Sequence, residues 1–214
     1  MRPLALLALL LPGTALADAE EASIDVELGP TLVRAGAATG DLHGTAPGAR
    51  LGVHATYGLY DTLALEAALG ATTGTEVTYE GFRTDTGLVG TAHNRHSTVR
   101  ATLGATFRFG TVYIPTLSIT AGYQHRFIAA GAVTNDTGSD VATAAGGAAN
   151  DLLLGGGVGF DVRLDRHWIV GVSVQAVHAF SDGGAFDAIE VPLRLAYSWY
   201  PRWTTYDFNE ADEP

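Results

Sequence analysis

The chain has 214 residues, enough for one domain with an ordinary core, and its formal charge is −11. All twelve basic residues are arginines, and an acidic chain without a basic stripe argues against nucleic acid as a partner. With no cysteine, a disulfide framework and thiolate metal sites are excluded as well.

The start, M-R-P-L-A-L-L-A-L-L-L-P-G-T-A-L-A, combines Arg2, an apolar run over 4–11 and an A-x-A cleavage site ending at Ala17. Residues 1–17 therefore read as a secretory signal peptide, with the mature chain beginning near Asp18. No later segment approaches the apolar length of a transmembrane helix, yet mean hydropathy is +0.16. Apolar residues are dealt out at every second position instead, the mark of strands with one greasy and one polar face.

The first strand, over 23–34, sets Ile24, Val26, Leu28 and Leu32 against Asp25, Glu27, Gly29 and Thr31. After a Gly/Ala-rich loop at 35–49, the second sets Leu51, Val53, Ala55, Tyr57 and Leu59 against Arg50, Gly52, His54 and Thr56. A sharp turn at Asp61-Thr62 leads to the third, with Leu63, Leu65, Ala67, Leu69 and Ala71 opposite Glu66, Gly70 and Thr72. A long polar loop at 74–97 precedes the fourth, where Val99, Ala101, Leu103, Ala105, Phe107 and Phe109 alternate with Arg100, Thr102, Gly104 and Arg108. A turn at Gly110-Thr111 opens the fifth, with Tyr113, Leu117, Ile119 and Tyr123 against Thr116, Ser118, Gln124 and Arg126.

The third long loop, at 129–150, is rich in Ala, Gly and Thr. Beyond it Leu152, Leu154, Val158, Phe160 and Val162 oppose Gly155, Gly157, Gly159, Asp161 and Arg163. A turn at 165–167 leads to Trp168, Val170, Val172 and Val174 opposite Gly171, Ser173 and Gln175. The last strand, 189–199, is the cleanest: Ile189, Val191, Leu193, Leu195, Tyr197 and Trp199 alternate with Glu190, Pro192, Arg194, Ala196 and Ser198. Its eleven residues fit the roughly 9–11 that a tilted strand needs to cross a bilayer. Residues 201–214 read as an acidic periplasmic tail.

Connections that alternate long and short predict an all-β fold, an eight-stranded antiparallel up-and-down transmembrane β-barrel over 18–200. The polar face is too small and too sparsely charged for a soluble exterior, so the apolar face is expected to point outward. Aromatics beside the short turns (Phe107, Phe109, Tyr113, Trp168, Tyr197 and Trp199) form a membrane-interface girdle in this reading, with Tyr123, Phe127, Phe180 and Phe186 as a sparser upper one. The lumen then holds a charge network of Asp25, Glu27, Arg50, Glu66, Arg100, Arg108, Arg126, Asp161, Arg163, Glu190 and Arg194. Eight strands enclose a space that side chains fill, so these charges are expected to neutralise one another. Pro30, Pro115 and Pro192 fall inside strands and require bulges or shifted boundaries.

The pattern resembles the small outer-membrane barrels typified by the outer-membrane protein A transmembrane domain and the outer-membrane protein W family. Stretches similar in style to the W family are L-V-R-A-G-A-A-T at 32–39, L-G-V-H-A-T-Y at 51–57 and G-V-G-F-D-V-R-L-D-R-H-W at 157–168. The strand L-R-L-A-Y-S-W also resembles the C-terminal signal read by the barrel-assembly machinery, although fifteen residues follow Trp199 here. The resemblance implies an outer-membrane location, with outer-membrane lipid and that machinery as partners.

Candidate chemistry is sparse. His96-Ser97, with His93 nearby, resembles the His/Ser arrangement of outer-membrane lipid A deacylases, but no carboxylate is placed to orient the imidazole. The histidines lack metal spacing; His43, His54, His93 and His96 read as loop or lumen residues. The run 135–140, N-D-T-G-S-D, offers oxygen ligands for calcium but lacks a following bidentate Glu, which favours a plain turn. The glycines at 155–159 precede no helix and read as a close-packed strand instead of a phosphate cradle. The expectation is a non-catalytic barrel without metal or cofactor, with a structural or surface-interaction role and a possible ligand at 35–49, 74–97 and 129–150. The alternatives are a narrow conduit for small or hydrophobic solutes and a lipid A-modifying enzyme.

Overall fold

The computed structural model describes residues 20–37, 42–181 and 186–200. The expected signal peptide at 1–17 and acidic tail at 201–214 lie outside the described residues. Eleven strands run in chain order: β1 Ala22–Gly36, β2 His43–Tyr60, β3 Leu63–Arg83, β4 Val89–Arg108, β5 Tyr113–Ala129, β6 Gly131–Thr134, β7 Asp140–Ala144, β8 Gly147–Arg163, β9 Trp168–Phe180, β10 Phe186–Glu190 and β11 Leu193–Trp199. Every pairing among them is antiparallel. The order β3-β2-β1-β10-β9-β8-β5-β4 closes through β3–β4, with β11 continuing β10 between β1 and β9. That ring is an eight-stave barrel.

The extra strands have simple origins. The eighth stave is two strands because Val191-Pro192 interrupts it beside Pro30 of β1. Proline has no N–H to give to a ladder, so both prolines meet at one irregular spot. Register survives there: Leu28 faces Leu193 and Thr31 faces Glu190, three residues on each side. Gly29 permits the close approach, since a Cβ would run into the Val191 carbonyl and Pro192 Cα. The strands β6 and β7 form a hairpin inside the third long connection, turned at 135–139. There Asn135 Oδ1 accepts the backbone N–H groups of Thr137 (3.1 Å) and Ser139 (2.9 Å), and Gly138 adopts φ +77°. The candidate calcium run is therefore an Asx-type turn.

The apolar face points outward. Leu103 is 70 % exposed, Leu193 66 % and Val172 41 %, while the opposite-parity residues are buried inside. Among the described residues no helix is long and apolar enough to cross a membrane. The short turns behave as sequence reading expects. Asp165 accepts the backbone N–H groups of His167 (2.7 Å) and Trp168 (2.8 Å), which holds its carboxyl below the ordinary value. Gly110, at φ +112°, occupies backbone space that disfavours side chains at the β4–β5 turn.

The long loops require correction. Residues 43–50 belong to β2, 74–83 to β3, 89–97 to β4 and 147–150 to β8, so the described connections shrink to 84–88 and the β6–β7 hairpin. At roughly 3.3 Å per residue, the 21 residues of β3 extend ~70 Å, about twice what a tilted membrane strand needs. The barrel therefore continues well beyond its apolar belt.

In that extension the two faces exchange character. Val33, Ala35, Val77, Tyr79, Ala92, Val133, Leu153, Val177, Ala179 and Phe186 form a buried cluster inside the barrel. Outside, Thr45, Glu76, Thr78, Glu80, Arg83 and Arg95 are exposed. The inversion on β3 has a local cause. Thr72 pairs with Thr98, but Thr75 pairs with His96, so β3 spends three residues where β4 spends two. This bulge reverses parity: Leu65, Ala67 and Leu69 face outward below it, and Thr75, Val77 and Tyr79 face inward above it. A second register shift, between Tyr79 and Phe82, reverses it again.

Candidate functional site: the barrel lumen

Alternation sends every second residue of each stave inward, and antiparallel register stacks those residues in layers. At the short-turn end Glu21 receives Arg163 at 2.8 and 2.9 Å and stands 3.5 Å from Arg108. Arg108 also donates to Thr56 Oγ1 at 2.7 Å, and Thr56 bonds Ser23 at 2.6 Å. This layer forms a floor.

Above it lies the densest layer. Arg100 grips Glu190 through two hydrogen bonds of 2.8 and 2.5 Å. Arg50 bridges Glu190 and Glu27, each at 2.9 Å, and donates to Gln175 at 2.7 Å. Arg194 pairs with Asp161 and stands 3.8 Å from Asp25. His54 lies between two carboxylates, with Nε2 2.9 Å from Glu27 and Nδ1 3.0 Å from Glu66, and Thr106 donates to Glu66 at 2.8 Å. A cavity of about 20 Å³ remains among Glu27, His54, Glu66, Asp161 and Arg194, room for about one water.

The top layer is the apolar cluster with a few polar groups set into it. Tyr79 donates from Oη to the Gly36 carbonyl at 3.2 Å and meets His96 Nε2 at 2.8 Å. Arg126 lies 3.5 Å from Asp151, donates to Ser181 at 3.0 Å and sits 5.6 Å above the Phe186 ring. Buried side chains thus cross the lumen at three levels.

Each residue of the proposed charge network has an inward position: Asp25 and Glu27 on β1, Arg50 on β2, Glu66 on β3, Arg100 and Arg108 on β4, Arg126 on β5, Asp161 and Arg163 on β8, Glu190 on β10 and Arg194 on β11. They divide between layers: Arg126 belongs to the top, Arg108 and Arg163 to the floor. Sequence reading placed His54 and Gln175 on polar faces without joining them to the network, and it missed Glu21 and Asp151. Glu21 precedes the first strand, and Asp151 precedes the expected start of its own, which the structure extends back to Gly147. The six interface aromatics, Phe107, Phe109, Tyr113, Trp168, Tyr197 and Trp199, all lie exposed on the outer face. Tyr197 touches Trp168 edge to face, with centroids 5.2 Å apart. Of the second girdle, Tyr123, Phe127 and Phe180 face outward, but Phe186 is only 2 % exposed and points inward. Ile189 faces Leu32 on the outer wall, so odd positions of β10 are external and Phe186 is not.

The candidate catalytic pair is not assembled. His96 is buried in the lumen and Ser97 lies on the other side of the wall, as consecutive strand residues must.

A closed ring of strands with an apolar exterior belt and a charged interior defines a transmembrane β-barrel of the outer-membrane class. The chain belongs to the outer membrane protein beta-barrel domain family, which it matches over residues 4–198. Its location is accordingly the outer membrane. No curated protein matches the chain in sequence. Among solved structures it is similar to Ail, the attachment invasion locus protein of Yersinia pestis, at 14 % identity over 85 % of this chain and 100 % of that one, TM-score 0.47. It is similar to outer membrane protein OprG from Pseudomonas aeruginosa at 14 % identity, 86 % and 98 % coverage and TM-score 0.49. Outer membrane protease OmpT from Escherichia coli shares 8 % identity over 87 % of this chain and 99 % of that one, TM-score 0.44.

Proposed function

We propose that this protein is a closed, non-catalytic barrel that holds a rigid platform above the outer membrane and meets its partners there. The observation that supports this reading is the set of buried side chains that cross the lumen at three levels, with about 20 Å³ left among those of the charged layer. The extension of β3 and β4 beyond the apolar belt supports it too, since that much ordered polar surface serves no purpose in lipid. The contact surface is the outer face at 76–83 and 89–97, the connection at 84–88 and the β6–β7 hairpin. The aromatics at the short-turn end seat the belt at the membrane interface, with that end in the periplasm. The layered ion pairs hold the cylinder rigid and shut. The separation of His96 from Ser97 supports a role without catalysis.

Planar-bilayer recording tests the proposal against the conduit reading. The purified barrel is expected to give no discrete openings, whereas stable single-channel steps in the intact protein would overturn it.

A further inference from the structure

The most unusual buried group in the lumen is Asp25. It is 1 % exposed, neither carboxylate oxygen has a hydrogen-bond partner, and the Arg194 guanidinium is no closer than 3.8 Å. A buried carboxylate left this way is costly, and such a site calls for a missing partner. Directly across the β1–β2 ladder from Asp25 stands His54, and two residues along the same face stands Glu27. One ligand atom from each of the three lies within 4.8 Å of the others.

Five carboxylates (Asp25, Glu27, Glu66, Asp161, Glu190) share this layer with three guanidiniums, Arg50, Arg100 and Arg194, and His54 stands between two of the carboxylates. The cavity of about 20 Å³ opens beside Glu27 and His54, with space for a water.

The geometry points to a divalent transition-metal site, of the Zn²⁺ type, formed by Asp25, Glu27 and His54 Nε2, with Glu66 holding the imidazole from behind. One imidazole nitrogen with two carboxylates suits zinc better than calcium or magnesium, which favour all-oxygen shells. Glu66 at 3.0 Å from Nδ1 is the carboxylate that metal-bound histidines use to fix their tautomer and ring orientation. Thr106 fixes Glu66 in turn. The water-sized cavity leaves a place for a fourth ligand. Metal entry replaces the contact of His54 Nε2 with Glu27 and displaces the Arg50 Nη2 group, which lies 3.2 Å from that nitrogen and 2.9 Å from Glu27, while Arg50 Nη1 keeps Glu190 and Gln175. The site ties the first stave to the second at mid-lumen, and nothing in it bears on whether the barrel conducts.

The test is to fold the barrel into micelles with zinc sulfate present, dialyse against metal-free buffer, and measure bound zinc by atomic emission. Heat-dependent gel mobility reports the folded fraction. About one zinc per folded chain is expected, lost in Asp25→Asn and His54→Gln and retained in His178→Gln, an exposed histidine 2.6 Å from Asp187. Glu66→Gln is expected to weaken binding by about 10–100-fold. Zinc-free wild-type barrel, or undiminished zinc in folded His54→Gln, would overturn the assignment. If the lumenal variants fail to fold, X-ray absorption on the wild type decides: a nitrogen/oxygen shell with one imidazole upholds it, and a shell without imidazole overturns it.

Discussion

Below the bulge at Thr72–Thr75, β3 presents Leu65 and Leu69 to lipid and Glu66 to the lumen; above it, the strand presents Glu76 and Thr78 outward and buries Val77 and Tyr79. The two halves of the barrel share strands, register and closure, yet their inside and outside are exchanged. The lower half is solvated by hydrocarbon, so its polar groups must pair with one another inside. The upper half stands in water, so it folds like a soluble barrel around a small apolar core. A ladder of backbone hydrogen bonds tolerates either arrangement, and the medium outside selects between them.

This contrast can be broken from either side. The largest effect is expected in the lower lumen. Glu190→Ala strands Arg100 and leaves Arg50 with Glu27 and Gln175 alone, and should cost about 3–5 kcal/mol in urea unfolding from lipid vesicles. On the outer wall, Leu103→Arg is expected to cost about 2–4 kcal/mol by the same measurement, as for a cation placed near mid-bilayer. An arginine at Thr78, on the same outer face but above the belt, should change stability by less than about 0.5 kcal/mol. Equal costs at the two positions would show that no change of medium lies between them. In the upper core, Tyr79→Phe removes the hydroxyl shared by Gly36 and His96 and should cost about 1–3 kcal/mol. The smallest effect belongs to the exposed 3.9 Å pair of Glu76 and Arg95, where Glu76→Ala should stay within about 0.5 kcal/mol.

The bulge offers a sharper test still. In intact cells, cysteine at position 78 should react with a membrane-impermeant maleimide and cysteine at 77 should not. Deleting Gly74 removes the extra residue, and the expected outcome is exchange of the two labelling patterns. Unchanged labelling would mean that something other than the bulge sets parity above the belt.

Much of the lower half was legible in the residues. Leu193, Leu195 and Tyr197 alternate with Arg194 and Ala196, and one period-two pattern is enough to assign a strand, its faces and, with the sparse charge of the polar side, the direction each face takes. The upper half was not legible, because its signal weakens where both faces carry small or polar residues. Residues 74–83 read as loop for that reason, and the parity change at Gly74 concealed the continuity of β3. Phe186 misled for a related reason: its chemistry suits a girdle, but its parity places it against Arg126.

The amino-acid sequence by itself determined the alternation, the eight staves and the outward belt, because these follow from side-chain chemistry at a spacing of two. The tertiary structure alone decided how far the staves rise and where inside and outside exchange. It alone decided which charges meet, since Asp25 and His54 are neighbours only through the β1–β2 register and Arg100 reaches Glu190 only once the ring has closed. Pairing across a lumen depends on register and closure, and neither is written at any single position of the chain.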